Sequence, residues 1–168
     1  MPKGIETERK FVIERPQESL LRAQDGYTVS RITQTYLSSE PSVTHRVRRR
    51  EYADRVVYTE TRKIRISALS AIEEEREIDE ATYEACLGRI KEGTRSVIKT
   101  RHTFPYGGHT VEIDVYPEWQ KSCILEVELP SEDAALTLPP FLTLVREVTG
   151  DRSYSNAAMA HRFPEESI

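Results

Sequence analysis

The feature that most constrains this chain is a period-two alternation that returns in eight separate segments, with like charges repeated along one face of most of them. Alternate residues of an extended chain point to opposite faces, so such segments read as half-buried strands. Residues 4–13 set Glu6, Glu8 and Lys10 against Ile5, Phe11 and Val12, with one irregularity at Arg9. Residues 43–50 place Arg46, Arg48 and Arg50 opposite Val43 and Val47, and residues 55–66 present Thr59, Thr61 and Lys63 together. Glu73, Glu75 and Glu77 follow over 72–78, and Lys99 and Arg101 over 96–104. Residues 109–116 alternate Val111, Ile113 and Val115 with Glu112, Asp114 and Tyr116. Residues 123–129 alternate Cys123, Leu125, Val127 and Leu129 with Ile124, Glu126 and Glu128, and a strand over 27–37 completes the set.

Helical signals are fewer. Asp79 is a good N-cap for a helix over 79–91 with Tyr83, Leu87 and Ile90 as its stripe and Gly93 as its stop. Pro16 to Gln24 reads as a short helix, Ser131 can cap another through Leu136 before Pro139-Pro140, and Ser155 to Arg162 also reads helical. Tyr106-Gly107-Gly108-His109 is a hairpin turn. No linker or internal repeat divides the chain, so residues 1–168 are expected to form one α+β domain.

Like charges two apart on a strand repel, and something must compensate them. Cross-strand ion pairs on an open, solvated sheet would do so. A sheet closed into a barrel would instead turn the charged faces inward and remove exposed edges. A lumen carrying both signs suits a polyanion that arrives with divalent cations. Carboxylates are hard ligands for Mg²⁺ or Mn²⁺, arginine and lysine neutralise phosphate oxygens, and phosphoryl transfer asks mainly for positioning and charge stabilisation. The formal net charge of −4 argues against a general nucleic-acid binder. Cys86 and Cys123 lack CxxC spacing and are expected to be buried free thiols. No apolar run spans a bilayer and no signal sequence is evident, so a cytoplasmic protein without a membrane partner is expected. Trp119, Tyr36 and Tyr58 read as core or rim packing, Arg49-Arg50 as a solvated strand end, and His45 and His102 as pointing away from the charged faces.

Glu6-Thr7-Glu8-Arg9-Lys10 resembles the Glu-x-Glu-x-Lys signature of CYTH proteins, also called triphosphate tunnel metalloenzymes. The family includes thiamine triphosphatases, class IV adenylyl cyclases and bacterial inorganic triphosphatases. Further motifs follow in family order: Arg46-Val47-Arg48, Thr61-Arg62-Lys63, Glu75-Arg76-Glu77, Lys99-Thr100-Arg101, Glu112-Ile113-Asp114, Glu126-Val127-Glu128, and the stretch from Glu147 to Asn156. The resemblance covers nearly the whole chain. It implies an eight-stranded closed antiparallel β-barrel with flanking helices, in which Glu6, Glu8, Asp114, Glu126 and Glu128 hold Mg²⁺ or Mn²⁺. It implies that Lys10, Arg46, Arg48, Lys63, Lys99 and Arg101 bind a small-molecule triphosphate, that Glu77 is a further acid, and that Lys10, Lys63, Glu77 and Arg101 serve the chemistry. Two positions depart from the pattern: Thr44 stands where an acid is frequent, and Arg152 where a substrate-binding lysine is common. Hydrolysis of inorganic triphosphate, by a monomer or homodimer, is the expected activity. The alternatives are a thiamine- or nucleoside-triphosphatase, an adenylyl cyclase, and a non-catalytic polyphosphate-binding module.

Overall fold

The computed structural model describes residues 3–166. Nine strands form: β1 (Lys3–Glu14), β2 (Thr28–Leu37), β3 (Val43–Glu51), β4 (Val56–Arg65), β5 (Ser70–Ile78), β6 (Val97–Tyr106), β7 (His109–Val115), β8 (Ser122–Glu128) and β9 (Leu144–Glu147). Three short helices accompany them: α1 (Glu18–Arg22), α2 (Glu80–Leu87) and α3 (Asn156–Met159), the last preceded by a 3₁₀ turn at Arg152–Tyr154. The antiparallel order β5-β4-β3-β2-β6-β7-β8-β1, with β5 paired back to β1, makes an eight-stranded ring. The ring departs from a uniformly paired barrel at β1. Its residues 3–7 pair with β5, after which β9 takes over the same edge at Phe11–Ile13.

The alternation seen in the sequence decides which face is inside. Phe11, Ile13, Phe104, Val111, Ile113, Cys123, Leu125 and Val127 point outward, where Leu21 of α1 and the 134–142 segment cover them. Leu37 and Val47 point outward beneath Tyr83 and Cys86 of α2. The inner face is apolar only toward one end. There Val12, Tyr36, Val97, Tyr116 and Ile124 meet Trp119, Tyr154 and Met159, so the C-terminal segment plugs that end. Burying a side chain the size of Met159, which is 1% exposed, is worth about 1.5–3 kcal/mol. Trp119 is buried as expected, its Nε1 donating to the Pro164 carbonyl.

Local chemistry accounts for the element ends. Asp79 caps α2 by accepting from the Thr82 amide at 2.7 Å. α2 stops at Leu87, short of the expected Lys91, because the following chain joins the edge of β2: Ile90 bridges to Leu37, and the Lys91 amide donates to the Tyr36 carbonyl. The 106–109 turn is the expected two-residue hairpin, with φ of +59° at Gly107 and +81° at Gly108. The helix expected from Ser131 does not form. Leu136, Leu138, Phe141 and Leu142 turn individually onto the outer face of the ring, while the Glu132 carboxylate accepts from Ser67 and Ser70. The helix expected over 155–162 shortens to Asn156–Met159, capped by Ser155, whose Oγ accepts from the Ala158 amide. Both cysteines are free and buried. Among the described residues no helix is long and apolar enough to cross a membrane.

Candidate active site

Inside the ring lies a cavity of about 630 Å³. Glu8 and Lys10 reach it from β1, Arg46, Arg48 and Arg50 from β3, Lys63 and Arg65 from β4, and Glu73 and Glu75 from β5. Lys99 and Arg101 reach it from β6, Glu112 from β7, Glu126 and Glu128 from β8, and Arg152 from the C-terminal segment. With Lys91, ten lysines and arginines face six glutamates there, a positive excess in a chain whose net charge is −4. A ring that concentrates cations against the sign of the whole molecule suits an anion.

Parity explains most of this gathering. Glu126 on β8 stands opposite Lys10 on one side and Glu112 on the other, and the Lys10 ammonium reaches it at 3.3 Å. Glu8 stands directly opposite Glu128. On β6, Arg101 lies opposite Asp114 and grips it with Nε and Nη2 at 2.8 and 2.9 Å, while Nη1 donates to Glu112 at 3.1 Å. Lys99 Nζ lies 2.8 Å from the same Asp114 carboxylate and 3.4 Å from Asn156 Oδ1, which also accepts from the Tyr116 hydroxyl. Arg48 donates twice to Gln34 Oε1, at 2.6 and 3.1 Å, and Gln34 donates on to the Tyr36 hydroxyl. Arg50 donates to Ser30 at 2.8 Å.

These contacts set the charge states. Burial pushes Lys99 down to about 7 against the pull of Asp114. Burial, reinforced by Arg46 and Arg101, pushes Arg48 down to about 9. Burial alone would lower Lys10, but the carboxylates of Glu126 and Glu8 outweigh it and its pKa rises. Burial would raise Glu126 and Asp114; Lys10 brings Glu126 to about 2, and Arg101 with Lys99 holds Asp114 far below the usual carboxylate range. Glu112 is raised, chiefly by burial.

Ten of the residues picked out in the sequence line the cavity: Glu8, Lys10, Arg46, Arg48, Lys63, Lys99, Arg101, Glu126, Glu128 and Arg152. Three take other positions. Asp114 is 1% exposed beneath the lining, with both oxygens committed to Arg101 and Lys99. Glu77 shares the face of Glu73 and Glu75 but lies at the end of β5, exposed and outside the lining. Glu6 stands opposite Ala71 in β1, and its side chain lies outside the described residues. Arg50, expected at a solvated strand end, belongs to the cavity, and its parity with Arg46 and Arg48 carried that signal. Tyr36, expected as core or rim packing, is both buried and part of the lining. Lys91, Asn156 and His161 also line the cavity, from loop and C-terminal segments where no periodicity marked them. His45 and His102 point outward as expected, bonded to Glu60 and to the Tyr27 hydroxyl, both at 2.7 Å.

The donor chemistry fits a hard divalent cation. Glu8, Glu126 and Glu128 present carboxylates to one cavity, and the first and last are cross-strand partners. Among the described residues no three His, Cys, Asp or Glu side chains converge into a complete ligand set. One or two carboxylates, with water and phosphate oxygens, are the usual Mg²⁺ complement.

An eight-stranded antiparallel ring whose inward strand faces line a cation-rich, carboxylate-bearing cavity defines the structural class. No protein-family sequence model matches the chain, and no curated protein matches it. Solved structures do. The inorganic triphosphatase NE1496 is 30% identical over 95% of this chain and 97% of its own, with a TM-score of 0.59. Another structure of NE1496, described as a hypothetical protein, gives 30% identity over 95% and 99%, with a TM-score of 0.60. A putative adenylate cyclase from Bacillus halodurans shares the fold at 18% identity, over 100% of this chain and 97% of that one, with a TM-score of 0.52. The chain belongs to the CYTH, or triphosphate tunnel, family.

Proposed function

We propose that the protein hydrolyses inorganic triphosphate to pyrophosphate and phosphate with the help of Mg²⁺ or Mn²⁺. The observation that carries this reading is the cation-rich cavity inside a net-acidic chain. The similarity to NE1496, an inorganic triphosphatase, supports it. Arg46, Arg48, Arg50, Lys63 and Arg101 neutralise the triphosphate oxygens, and Lys10 and Arg152 extend that surface on the side of the C-terminal segment. Glu8, Glu126 and Glu128 would supply carboxylates to the cation, which when bound would screen phosphate charge. Asp114 acts beneath the site by orienting Arg101 and Lys99. Water attacks the terminal phosphorus, the bridging P–O bond breaks, and pyrophosphate leaves with its charge held by the arginines. Lys99, buried against Asp114 at 2.8 Å, keeps that carboxylate in place, and the proton of the attacking water passes to a non-bridging phosphate oxygen.

The cavity also favours a bare triphosphate over an organic one. Among its described lining residues Tyr36 is the one aromatic side chain, and it is only 4% exposed. Tyr116 and Trp119, the other aromatic candidates for stacking on a base, are 1% and 3% exposed inside the plug. Selectivity then rests on the phosphate chain itself. Phosphate release from inorganic triphosphate, thiamine triphosphate and ATP, with Mg²⁺, Mn²⁺ or EDTA, tests the proposal. The expected result is kcat/KM highest for inorganic triphosphate. A tenfold lead for either organic substrate, or cyclic AMP as the main product from ATP, overturns it.

A further inference from the structure

The wall of the ring is interrupted on one side. β1 pairs with β5 as far as Thr7 and with β9 from Phe11, so residues 8–10 lie between two strand partners. Two other segments bridge the interruption. The Glu8 amide donates to the Leu69 carbonyl, in the turn between β4 and β5, at 3.1 Å. The Lys10 amide donates to Thr149 Oγ1 at 2.9 Å, and the Val148 amide donates to the Lys10 carbonyl at 2.9 Å. The turn and the C-terminal segment also meet each other: a Cβ on Gly150, where φ is +79°, would stand 2.9 Å from Ala68 Cβ. Ala68, Val148, Thr149 and Gly150 line a second cavity there, of about 320 Å³. Glu8, Lys10, Arg65, Arg152 and Ser155 line both this cavity and the main one, so the second is a side window of the first.

Most polar groups of the window are already used within the protein. Lys10 is paired with Glu126, and the Asp151 carboxylate accepts from the Ser153 amide and hydroxyl. Ser67 Oγ donates to Glu132, and Thr149 Oγ1 donates to Glu147. Arg65 and Arg152 stand apart: neither guanidinium makes a hydrogen bond or ion pair with another described residue. A permanently charged planar fork without a carboxylate is a ready partner for an oxyanion, and two of them match the charge of a phosphate dianion. At roughly 30 Å³ per water-sized group, the window takes roughly ten such groups, room for one hydrated phosphate ion but not for a hydrated triphosphate. Among its described lining residues none is aromatic, so nothing there recognises a base. We propose that the window is an orthophosphate site, in which Arg65 and Arg152 hold a single phosphate ion beside the main cavity. The triphosphatase reading supplies the nearest source of that ion, the phosphate cleaved in the adjoining cavity; the site itself stands on the geometry of the window.

The test is calorimetric binding of inorganic phosphate to the full chain in EDTA, alone and in saturating pyrophosphate, which fills the main cavity. Phosphate is expected to bind in both conditions. Arg65 is exposed, so its replacement leaves the fold intact. Arg65→Ala is expected to weaken phosphate binding by roughly tenfold or more, as for loss of a charge-assisted hydrogen bond, and to change pyrophosphate binding by less than about twofold. Arg152→Ala is expected to weaken phosphate binding too, and Arg65→Lys to keep part of the affinity. Displacement of phosphate by pyrophosphate, equal losses for the two ligands in Arg65→Ala, or no phosphate binding at all overturns the proposal. Cleavage and phosphate release from triphosphate with Mg²⁺ are followed separately in a single turnover. Release that lags cleavage, with a shorter lag in Arg65→Ala, identifies the held ion as the product; release in step with cleavage identifies it as phosphate from solution. Phosphate binding beside pyrophosphate without triphosphate hydrolysis sinks the hydrolase reading and keeps the window site. Hydrolysis with phosphate displaced by pyrophosphate sinks the window site alone.

Discussion

Lys99 concentrates the conflict on which this site is built. Its ammonium is buried, which favours the neutral amine, yet it touches Asp114, which favours the charge. Its folded pKa of about 7 lies below the ~10.4 of a free lysine. Between those values the unfolded chain binds more protons, so this residue's contribution to stability rises with pH from about 7 to about 10.4. Below pH 7 the cost of burying its charge is fully present. Lys99→Met should remove that pH dependence, measured as the urea midpoint from pH 6 to 10. Arg48 and Glu8 should fail differently. Arg48→Ala, on the proposed phosphate-binding role, should cost roughly 10²–10³ in kcat. Glu8→Gln, on the proposed metal role, should lose rate and recover partly at high Mg²⁺; near-native turnover in both variants would place the chemistry elsewhere.

At the scale of elements, β1 does the most. Its first residues close the ring against β5, its middle carries Glu8 and Lys10, and its second half serves β8 and β9 at once. The eight strands of the ring were legible because each alternates, and six of them carry a like-charge pair. β9 was not: four residues, Leu144 to Glu147, are too few to show a period, and they become a strand only because β1 offers a free edge. The 131–136 segment misled for a related reason. Its cap and apolar residues suit a helix, but the outer face of the ring offers the leucines more burial one by one. The C-terminal plug should be a stabilising unit. Met159→Ala leaves a hole among Tyr36, Tyr116 and Tyr154 and should cost about 2–5 kcal/mol, seen as a lower urea midpoint without a change in slope.

At the scale of the molecule, the ring sets opposite charges inside a dry wall, and its stability should follow their titration. Glu126 at about 2 and Asp114 further down both lie below their unfolded values of ~4.3 and ~3.9. Their contribution is therefore present above about pH 4.3 and lost as the pH falls toward 2. The Tm should drop steeply across that window, and less steeply in Glu126→Gln. Excess EDTA should abolish triphosphate hydrolysis, and activity that survives the chelator would refute metal dependence. The sequence by itself determined the strand faces, because a two-residue period fixes which side chains share a side, and with them nine of the ten expected residues of the cavity; Arg152 came from the family resemblance. Tertiary structure alone decided the rest. It sank Asp114 beneath Arg101, left Glu77 outside the lining, and brought Lys91, Asn156 and His161 to the cavity from segments with no period to read. Those outcomes depend on where the ring closes and where its loops are tied, and both are set by contacts between residues far apart in the chain.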